Sequence, residues 1–182
     1  LATSYNNIAN IYLSIRQYPK ALSYCSKSLA IREKSLNKNH PDLATSYNNI
    51  SVIYQNMGQV LKALNYCLKA IGIREKTLDS AHPELATSYN NLSNIYYFIG
   101  RKSEAFEYLQ KAIDIFEQSL DNPHPDLATS YSSFAFFYRE ANEIAKAKEY
   151  IDKSIAAMNH IFPDGHTDMA KLLEFREGLN KT

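Results

Sequence analysis

Four histidines recur at intervals of 42 residues, at His40, His82, His124 and His166. Imidazole is a common metal ligand, so a regular series of histidines raises the question of a metal site. With one histidine per repeat, however, the side chains lie too far apart for several to reach one ion at ~2.1 Å. Because each histidine stands at a predicted helix start, we expect a local loop or capping role and no metal site.

Two cysteines, Cys25 and Cys67, are separated by the same interval. Equivalent positions in successive helical repeats lie about one packing layer, roughly 10 Å, apart. That separation exceeds the ~7 Å between Cα atoms that a disulfide tolerates. We therefore expect two free thiols in the core and predict a cytoplasmic protein, since the cytosol keeps thiols reduced.

The other reactive side chains form no recognisable catalytic pattern. The sequence has no glycine-rich phosphate loop and no CxxC, HExxH or GxSxG motif. Its carboxylates are scattered, as in Arg32–Lys34 and Arg74–Lys76, which we expect to be solvated helix faces with weak local ion pairs. We predict that the chain is not an enzyme and needs no cofactor.

Composition narrows the possible partners. The chain has 182 residues, of which 45% are hydrophobic, and its net charge is only +1. This length and hydrophobic content suffice for a sizeable core, whereas the balanced charge gives no indication of nucleic-acid or anionic-membrane binding. The sequence contains no apolar run near the roughly 20 residues that a membrane-spanning helix needs.

The histidines belong to a longer repeated phrase. HPDLATSYNNI begins at His40, HPELATSYNNL at His82 and HPDLATSY at His124, while the chain itself opens on LATSYNNI. Because the chain opens inside the repeated unit, we interpret it as a fragment of a longer array.

Each repeat begins with an amphipathic helix. Large apolar residues are spaced alternately by four and three, as on one stripe of an α-helix. In the second repeat they are Leu43, Tyr47, Ile50, Tyr54 and Met57. Proline followed by an acidic residue favours helix starts near Pro41, Pro83 and Pro125, and the phase of the repeat places a fourth near Thr167.

A second amphipathic helix follows in each repeat. Its apolar face in the second repeat consists of Ala63, Cys67, Ala70, Ile71 and Arg74. Turn signals separate the two helices at Arg16, Gly58, Gly100 and Asn142. Small residues recur in the first helix at Ala9, Ser51, Ser93 and Ala135, and in the second at Ala21, Ala63, Ala105 and Ala147. These small side chains let the two backbones approach closely. Because the sequence shows no period-2 strand pattern, we predict an all-α fold.

This pattern resembles the tetratricopeptide repeat (TPR) family. The family's large–small–aromatic signature matches Ile50-Ser51-Tyr54 and Leu92-Ser93-Tyr96, and its glycine turn matches Gly58 and Gly100. The period of 42 exceeds the family's usual 34 and resembles the repeats of kinesin light chains. The resemblance implies an α–α superhelical solenoid, a single array over residues 1–182. Its repeats would span about 1–42, 43–84, 85–126 and 127–168, followed by a terminal helix over 169–182.

A second, more polar stripe runs along the first helices. In TPR proteins the first helices line the concave surface, and positions matching this stripe face the ligand. The candidate groove residues are Asn6, Asn10, Asn48, Val52, Gln55, Asn90, Asn94, Tyr97, Phe136 and Arg139. An amide offers both donors and an acceptor, which suits a peptide backbone. We assign the neighbouring Asn7, Asn49 and Asn91 to hydrogen bonds between adjacent helices.

The resemblance and the stripe together predict a non-catalytic adaptor that binds a protein or peptide partner. Because the stripe is neutral up to Arg139 and Glu140, we expect an internal segment of the partner, held also by Val52, Tyr97, Phe98 and Phe136, and no strong carboxylate clamp. We expect no nucleic-acid or membrane partner, and a monomer or weak self-association. Two alternatives stay open: a structural array that self-associates through its ends, and a helical-repeat RNA binder, which the lack of a basic track disfavours.

Overall fold

The fold is all-α, as predicted from the sequence. The computed structural model describes residues 1–119 and 124–180, and within them it contains nine helices. They are α1 (Ala2–Ser14), α2 (Tyr18–Ser35), α3 (Pro41–Asn56), α4 (Val60–Thr77), α5 (Pro83–Phe98), α6 (Lys102–Ser119), α7 (Pro125–Glu140), α8 (Ile144–Ile161) and α9 (Met169–Gly178). Among the described residues, no helix is both long and apolar enough to cross a membrane.

The predicted helix starts are confirmed, and the histidines explain how they are stabilised. Helices α3, α5 and α7 begin at the three prolines, and α9 begins two residues after Thr167. At each of these starts the histidine Nδ1 accepts a hydrogen bond from the backbone N–H two residues later, at 3.1–3.2 Å. At α3, α5 and α7 the bond satisfies one of the orphan donors of the first helical turn, which confirms a capping role for His40, His82 and His124. His166 makes the same bond to Asp168, which is itself the N-cap residue of α9, so its role is in the preceding loop.

Helices within a repeat turn back through one residue in the left-handed region. Gly58 and Gly100 have φ of 72° and 82°, and Arg16 and Asn142 adopt the same region with φ of 59° and 61°. Residues other than glycine carry a steric cost there. The chain therefore turns between the two helices of each repeat at the four positions predicted from the sequence.

The two helices of each pair meet at the predicted small residues. All eight, four on each helix, are fully buried. The Ser51 hydroxyl donates to the carbonyl oxygen of Ala63 at 2.8 Å, and the Ser93 hydroxyl donates to that of Ala105 at 2.6 Å. Close approach thus brings the first helix against the backbone of the second.

Successive pairs stack so that the first helices lie on the inner side. Helix α1 contacts α3, α3 contacts α5, and α5 contacts α7. Second helices of successive repeats, such as α2 and α4, show no comparable contact in the described part of the chain. A stack curves towards the side on which its units are closer, so the first helices line the concave face.

Helix α9 covers the end of the fourth pair with the predicted apolar side chains. Leu179 is buried against Ala135, Ala147 and Ile151, and Leu172 and Phe175 pack partly buried against the same cluster. The apolar side chains predicted for this helix therefore do pack on the fourth pair.

One sequence-based prediction is wrong. Arg32 and Arg74 do not lie on solvated faces, since each is only 5% exposed. The Arg32 guanidinium donates to the Ser46 hydroxyl at 2.7 Å and lies 3.4 Å from an Asp42 carboxylate oxygen. Arg74 makes the equivalent bonds to the next repeat, to Ser88 and, at 3.0 Å, to Glu84. Both arginines therefore join one repeat to the next.

Candidate functional site in the concave groove

Asparagine side chains link adjacent first helices along the concave face. Asn49 Nδ2 donates to Asn6 Oδ1 at 3.0 Å and to Asn10 Oδ1 at 3.3 Å. In the next repeat, Asn91 Nδ2 donates to Asn48 Oδ1 at 3.1 Å. The assignment of Asn49 and Asn91 to hydrogen bonds between helices is confirmed, whereas Asn7, the equivalent residue in α1, is exposed and makes no such bond to a described residue.

We call this series of hydrogen bonds the asparagine ladder. Its acceptors, Asn6 and Asn48, and their counterpart Asn90 are residues that we predicted to face the ligand. Asn6 and Asn90 are only 8% and 7% exposed, so their side chains are largely closed to a ligand. Asn48 is half-buried, and its oxygen is already occupied by Asn91. Asn6 and Asn48 take part in the stack because neighbouring first helices approach closely enough for their amides to bond, whereas Asn90 is closed to a ligand by burial alone. An arriving peptide would have to compete with that contact.

The ladder stops before the fourth repeat. The oxygen Asn90 Oδ1 is buried and has no hydrogen-bond partner among the described residues. Donor and acceptor are 43 residues apart in both existing rungs, and that register places Ser133 opposite Asn90. The Ser133 hydroxyl instead donates to the carbonyl oxygen of Thr129 in its own helix, at 3.1 Å. The unpartnered oxygen is therefore explained by the shorter side chain at position 133.

We expect Ser133→Asn to add the missing rung and to raise the free energy of unfolding by about 1 kcal/mol. Ser132→Asn is the matched control, because position 132 is the in-phase equivalent of the acceptors and does not face Asn90. Chemical denaturation of the two variants measures the difference. Equal stability of the two variants would show that the Asn90 oxygen gains nothing from the new amide.

The accessible part of the concave groove lies between repeats three and four. A pocket of about 280 Å³ is lined by Asn94, Tyr97, Phe98, Ser132, Ser133, Phe136 and Phe137. Phe98 is 71% exposed and Phe136 is 38% exposed. Exposed aromatic rings beside a few polar groups are typical of protein-binding surfaces. Sequence reasoning named all three aromatic positions Tyr97, Phe98 and Phe136 as ligand contacts, but not that they share one pocket.

Aromatic stacking fixes the shape of this pocket. The Tyr97 ring lies parallel to that of Phe137, with centroids 4.1 Å apart, and meets Phe136 edge-on at 5.6 Å. Burial, together with the nearby Glu140 carboxylate, raises the pKa of the Tyr97 hydroxyl. The three rings therefore form one aromatic wall of the pocket.

Arg139 is held by its own neighbours. Its guanidinium lies over the Phe136 ring at 5.0 Å and over the Phe175 ring at 4.7 Å. Its Nη2 also forms an ion pair with Glu140 at 3.2 Å. With its charge compensated in this way, Arg139 is poorly placed to capture a free carboxylate.

The remaining predicted groove residues lie on the same surface, on the first helices of the first three repeats. Asn10 is exposed, and Val52, Gln55 and Asn94 are half-buried. Among the described residues, no group of three or more His, Cys, Asp or Glu side chains could hold a metal ion. Cys25 and Cys67 are free and buried, and burial raises the pKa of the Cys25 thiol to about 11.

Solved structures with the same fold include kinesin light chain-like proteins. A Podosopora anserina protein of this kind, with nearly identical TPR-like repeats, shares 24% identity over 98% of this chain and 85% of its own, with a TM-score of 0.77. BtubC (BKLC) from P. vanneervenii shares 21% identity over 95% of this chain and 69% of its own, with a TM-score of 0.76. These likenesses confirm the predicted resemblance in fold.

A bacterial enzyme contains the same architecture. Aspartyl phosphate phosphatase F from Bacillus subtilis shares 20% identity over 98% of this chain, with a TM-score of 0.77. The matched region is only 44% of that protein, and at this identity the likeness concerns the fold. No curated protein matches the sequence significantly.

Family comparison agrees with the structure. The tetratricopeptide repeat family matches residues 1–59, 42–118 and 104–160 in three overlapping segments. Together they run without a gap over far more than half of the chain. The protein therefore belongs to the tetratricopeptide repeat family.

Proposed function

We propose that this chain is a non-catalytic interaction scaffold that binds a partner peptide in its concave groove. The observation that carries the proposal is the aromatic pocket formed by Tyr97, Phe98 and Phe136, which the packing of the repeats does not require. At the positions of Phe98 and Phe136, the second repeat has Asn56 and Val52. Tetratricopeptide repeats are typical of protein–protein interaction scaffolds, which supports the same conclusion.

The pocket suits a large apolar side chain of the partner. Its volume of about 280 Å³ accommodates one such side chain, and burial of an aromatic or leucine there removes apolar surface from water. Asn94 at the rim and Asn10 farther along the groove offer amides to the peptide backbone. An apolar anchor with backbone hydrogen bonds on either side is a common way to bind an extended segment.

An internal segment fits this groove better than a chain terminus. The only cation among the predicted groove residues is Arg139, which is already paired with Glu140 and covered by two rings. Lys102 Nζ lies over the Tyr97 ring at 5.7 Å, but none of the predicted groove residues themselves offers an uncompensated positive charge to a free carboxylate. The scarcity of cations also disfavours RNA as the ligand of this surface.

The test begins with random peptides displayed on phage and selected on the wild-type chain. A selected peptide is then measured by calorimetry against wild type and the double variant Phe98→Asn/Phe136→Asn. Both replacements occur naturally at equivalent positions, at Asn56 for Phe98 and at Asn10 and Asn94 for Phe136, so the fold should tolerate them. Loss of two exposed aromatic contacts should weaken binding at least about tenfold.

Leu173→Ala is the matched control because Leu173 is 43% exposed but lies on α9, outside the groove. This variant should bind the peptide as wild type does. If the double variant kept wild-type affinity for every selected peptide, peptide binding in the aromatic pocket would be wrong.

A further inference from the structure

A second groove lies on the opposite side of the molecule, between the second helices α2 and α4. Its volume is about 520 Å³, and we call it the outer groove. Leu36, Lys38, Tyr47, Leu68, Lys69 and Lys76 line it. The groove exists because the stack curves towards the first helices, which spreads α2 and α4 apart.

Positive charge dominates this surface. Apart from the buried Arg32 and Arg74, helices α2 and α4 each carry three lysines against one glutamate. In the described part of the chain, Lys38, Lys69 and Lys76 form no ion pair with a carboxylate. Lys69 Nζ instead lies over the rings of Tyr47 at 5.5 Å and Tyr66 at 5.3 Å. The one carboxylate in the groove, Glu33, accepts a hydrogen bond from the Tyr47 hydroxyl at 2.9 Å.

Exposed leucines adjoin these lysines on α4. Leu61 is 74% exposed and Leu68 is 45% exposed, and their spacing of seven residues places them on one face of the helix. Residues equivalent to Leu61 in the other repeats are Pro19, Ser103 and Ala145, and those equivalent to Leu68 are Ser26, Gln110 and Asp152. Since the other repeats pack without leucine here, these two side chains serve no requirement of the solenoid.

Gly72 is a third departure at the same place. It lies inside α4, where glycine is less favourable than alanine, and the other repeats have Ala30, Asp114 and Ala156. A Cβ built at Gly72 would meet nothing within 4 Å, so internal packing does not demand glycine. The missing side chain deepens the outer groove, which Gly72 lines.

The fourth repeat provides an internal comparison. There Lys153 occupies the position of Lys69 but is paired with Glu149 at 2.8 Å. His160 replaces Lys76, and Asp152 replaces Leu68. Within the described part of the chain, the unpaired lysines, the exposed leucines and the glycine therefore occur together at or beside the groove between the first two repeats, and the fourth repeat lacks this combination.

We propose that the outer groove docks an acidic segment of a partner protein with interspersed apolar side chains. Carboxylates of the segment pair with Lys38, Lys69 and Lys76, while its apolar side chains cover Leu61 and Leu68. Aliphatic leucine surface beside the lysines favours such a peptide over a nucleic acid, which would gain little from it. This docking site is separate from the concave groove, so one chain can hold two segments at once.

The experiment selects random phage-displayed peptides on the wild-type chain and measures labelled synthetic copies by fluorescence anisotropy. One class should be enriched in Asp and Glu with interspersed Leu or Phe. Lys69→Gln/Lys76→Gln should weaken binding of this class at least about tenfold. The matched control, Lys111→Gln/Lys153→Gln, removes the same charge at the positions equivalent to Lys69 in the third and fourth repeats and should leave affinity unchanged.

Gly72→Gln tests the groove itself without changing any charge. It should weaken the same peptides at least about tenfold while leaving the melting temperature equal to or above that of wild type. Added salt should also weaken binding, because the lysines are exposed. The absence of an acidic class, or equal affinity of wild type, Lys69→Gln/Lys76→Gln and Gly72→Gln, would overturn the proposal.

Three further results separate the possible occupants. Tight binding of single-stranded RNA that depends on Lys69 and Lys76 would assign the surface to nucleic acid and overturn the proposal. Light scattering that detects a dimer dissociated by Lys69→Gln/Lys76→Gln would assign it to a second copy, with the same consequence. Acidic peptides that respond only to Phe98→Asn/Phe136→Asn would leave the concave groove as the binding site and overturn the outer one.

Discussion

Replacing Arg74 with alanine is expected to lower the free energy of unfolding by about 2–5 kcal/mol, whereas methionine should nearly preserve it. The Arg74 side chain is buried where α4 meets α5. Truncation to alanine leaves a cavity in place of the long aliphatic stem. It also leaves the buried Ser88 hydroxyl without the guanidinium that it bonds.

The later repeats show why methionine should be accepted. Phe116 and Met158 stand at the positions equivalent to Arg74, and they are 0% and 7% exposed. Ser130, the counterpart of Ser88, donates its hydroxyl to the carbonyl oxygen of Asp126 in its own helix. A junction between repeats is therefore compatible with an apolar side chain, because the serine has an alternative acceptor within its helix.

Chemical denaturation monitored by circular dichroism provides the measurement. Arg101→Ala is the control, because Arg101 is exposed and its ion pair with Glu104 lies on the surface, so this substitution should cost much less than Arg74→Ala. If Arg74→Met proved as damaging as Arg74→Ala, the ionic contacts of the guanidinium would stabilise the junction more than its packing does.

The burial of Arg32 and Arg74 illustrates where sequence reasoning fails. Helix positions, the histidine caps and the turns depend on local chemistry, so they could be predicted from the repeated phrase. The partners of Arg32, however, are Asp42 and Ser46 in the next helix. A run of Arg-Glu-Lys looks solvent-exposed until that helix is placed over it.

The burial of Asn6 and Asn90 could not be predicted for a related reason. Rungs of the ladder join positions 43 residues apart, one more than the repeat length. Donor and acceptor therefore occupy neighbouring positions in each repeat, such as Asn49 and Asn48. Sequence alone separates a stacking asparagine from a ligand-facing one only if the rotation between successive first helices is known.

The outer groove was not predicted at all, although its residues depart visibly from the repeat. Gly72, Leu61 and Leu68 differ from their counterparts in the other repeats. Such a difference indicates a function only if the residue lies on the surface, and the sequence alone does not show that. A leucine that departs from the repeat in the core is a packing adjustment. The same departure on an open surface has no such explanation.

Phe137 connects the stability of the array with the proposed peptide site. It is 3% exposed, stacks on Tyr97 and contacts Phe106 with ring centroids 5.5 Å apart. We expect Phe137→Ala to lower the free energy of unfolding by about 3–5 kcal/mol, as for other fully buried rings. Equivalent positions in the second and third repeats hold the buried Ile53 and Ile95. Phe137→Ile should therefore cost less than ~1.5 kcal/mol.

The isoleucine variant separates folding from binding. It stays folded, but it removes the ring on which Tyr97 stacks and so loosens the floor of the aromatic pocket. We expect it to bind a peptide selected for the concave groove about tenfold more weakly, because an aromatic contact contributes about 0.5–1.5 kcal/mol beyond its buried area. Calorimetry and denaturation of one protein preparation measure both effects. Wild-type affinity of Phe137→Ile would mean that the peptide does not use the pocket above Phe137. If Phe137→Ala lowered the free energy of unfolding by less than ~1 kcal/mol, the ring would not be part of the core.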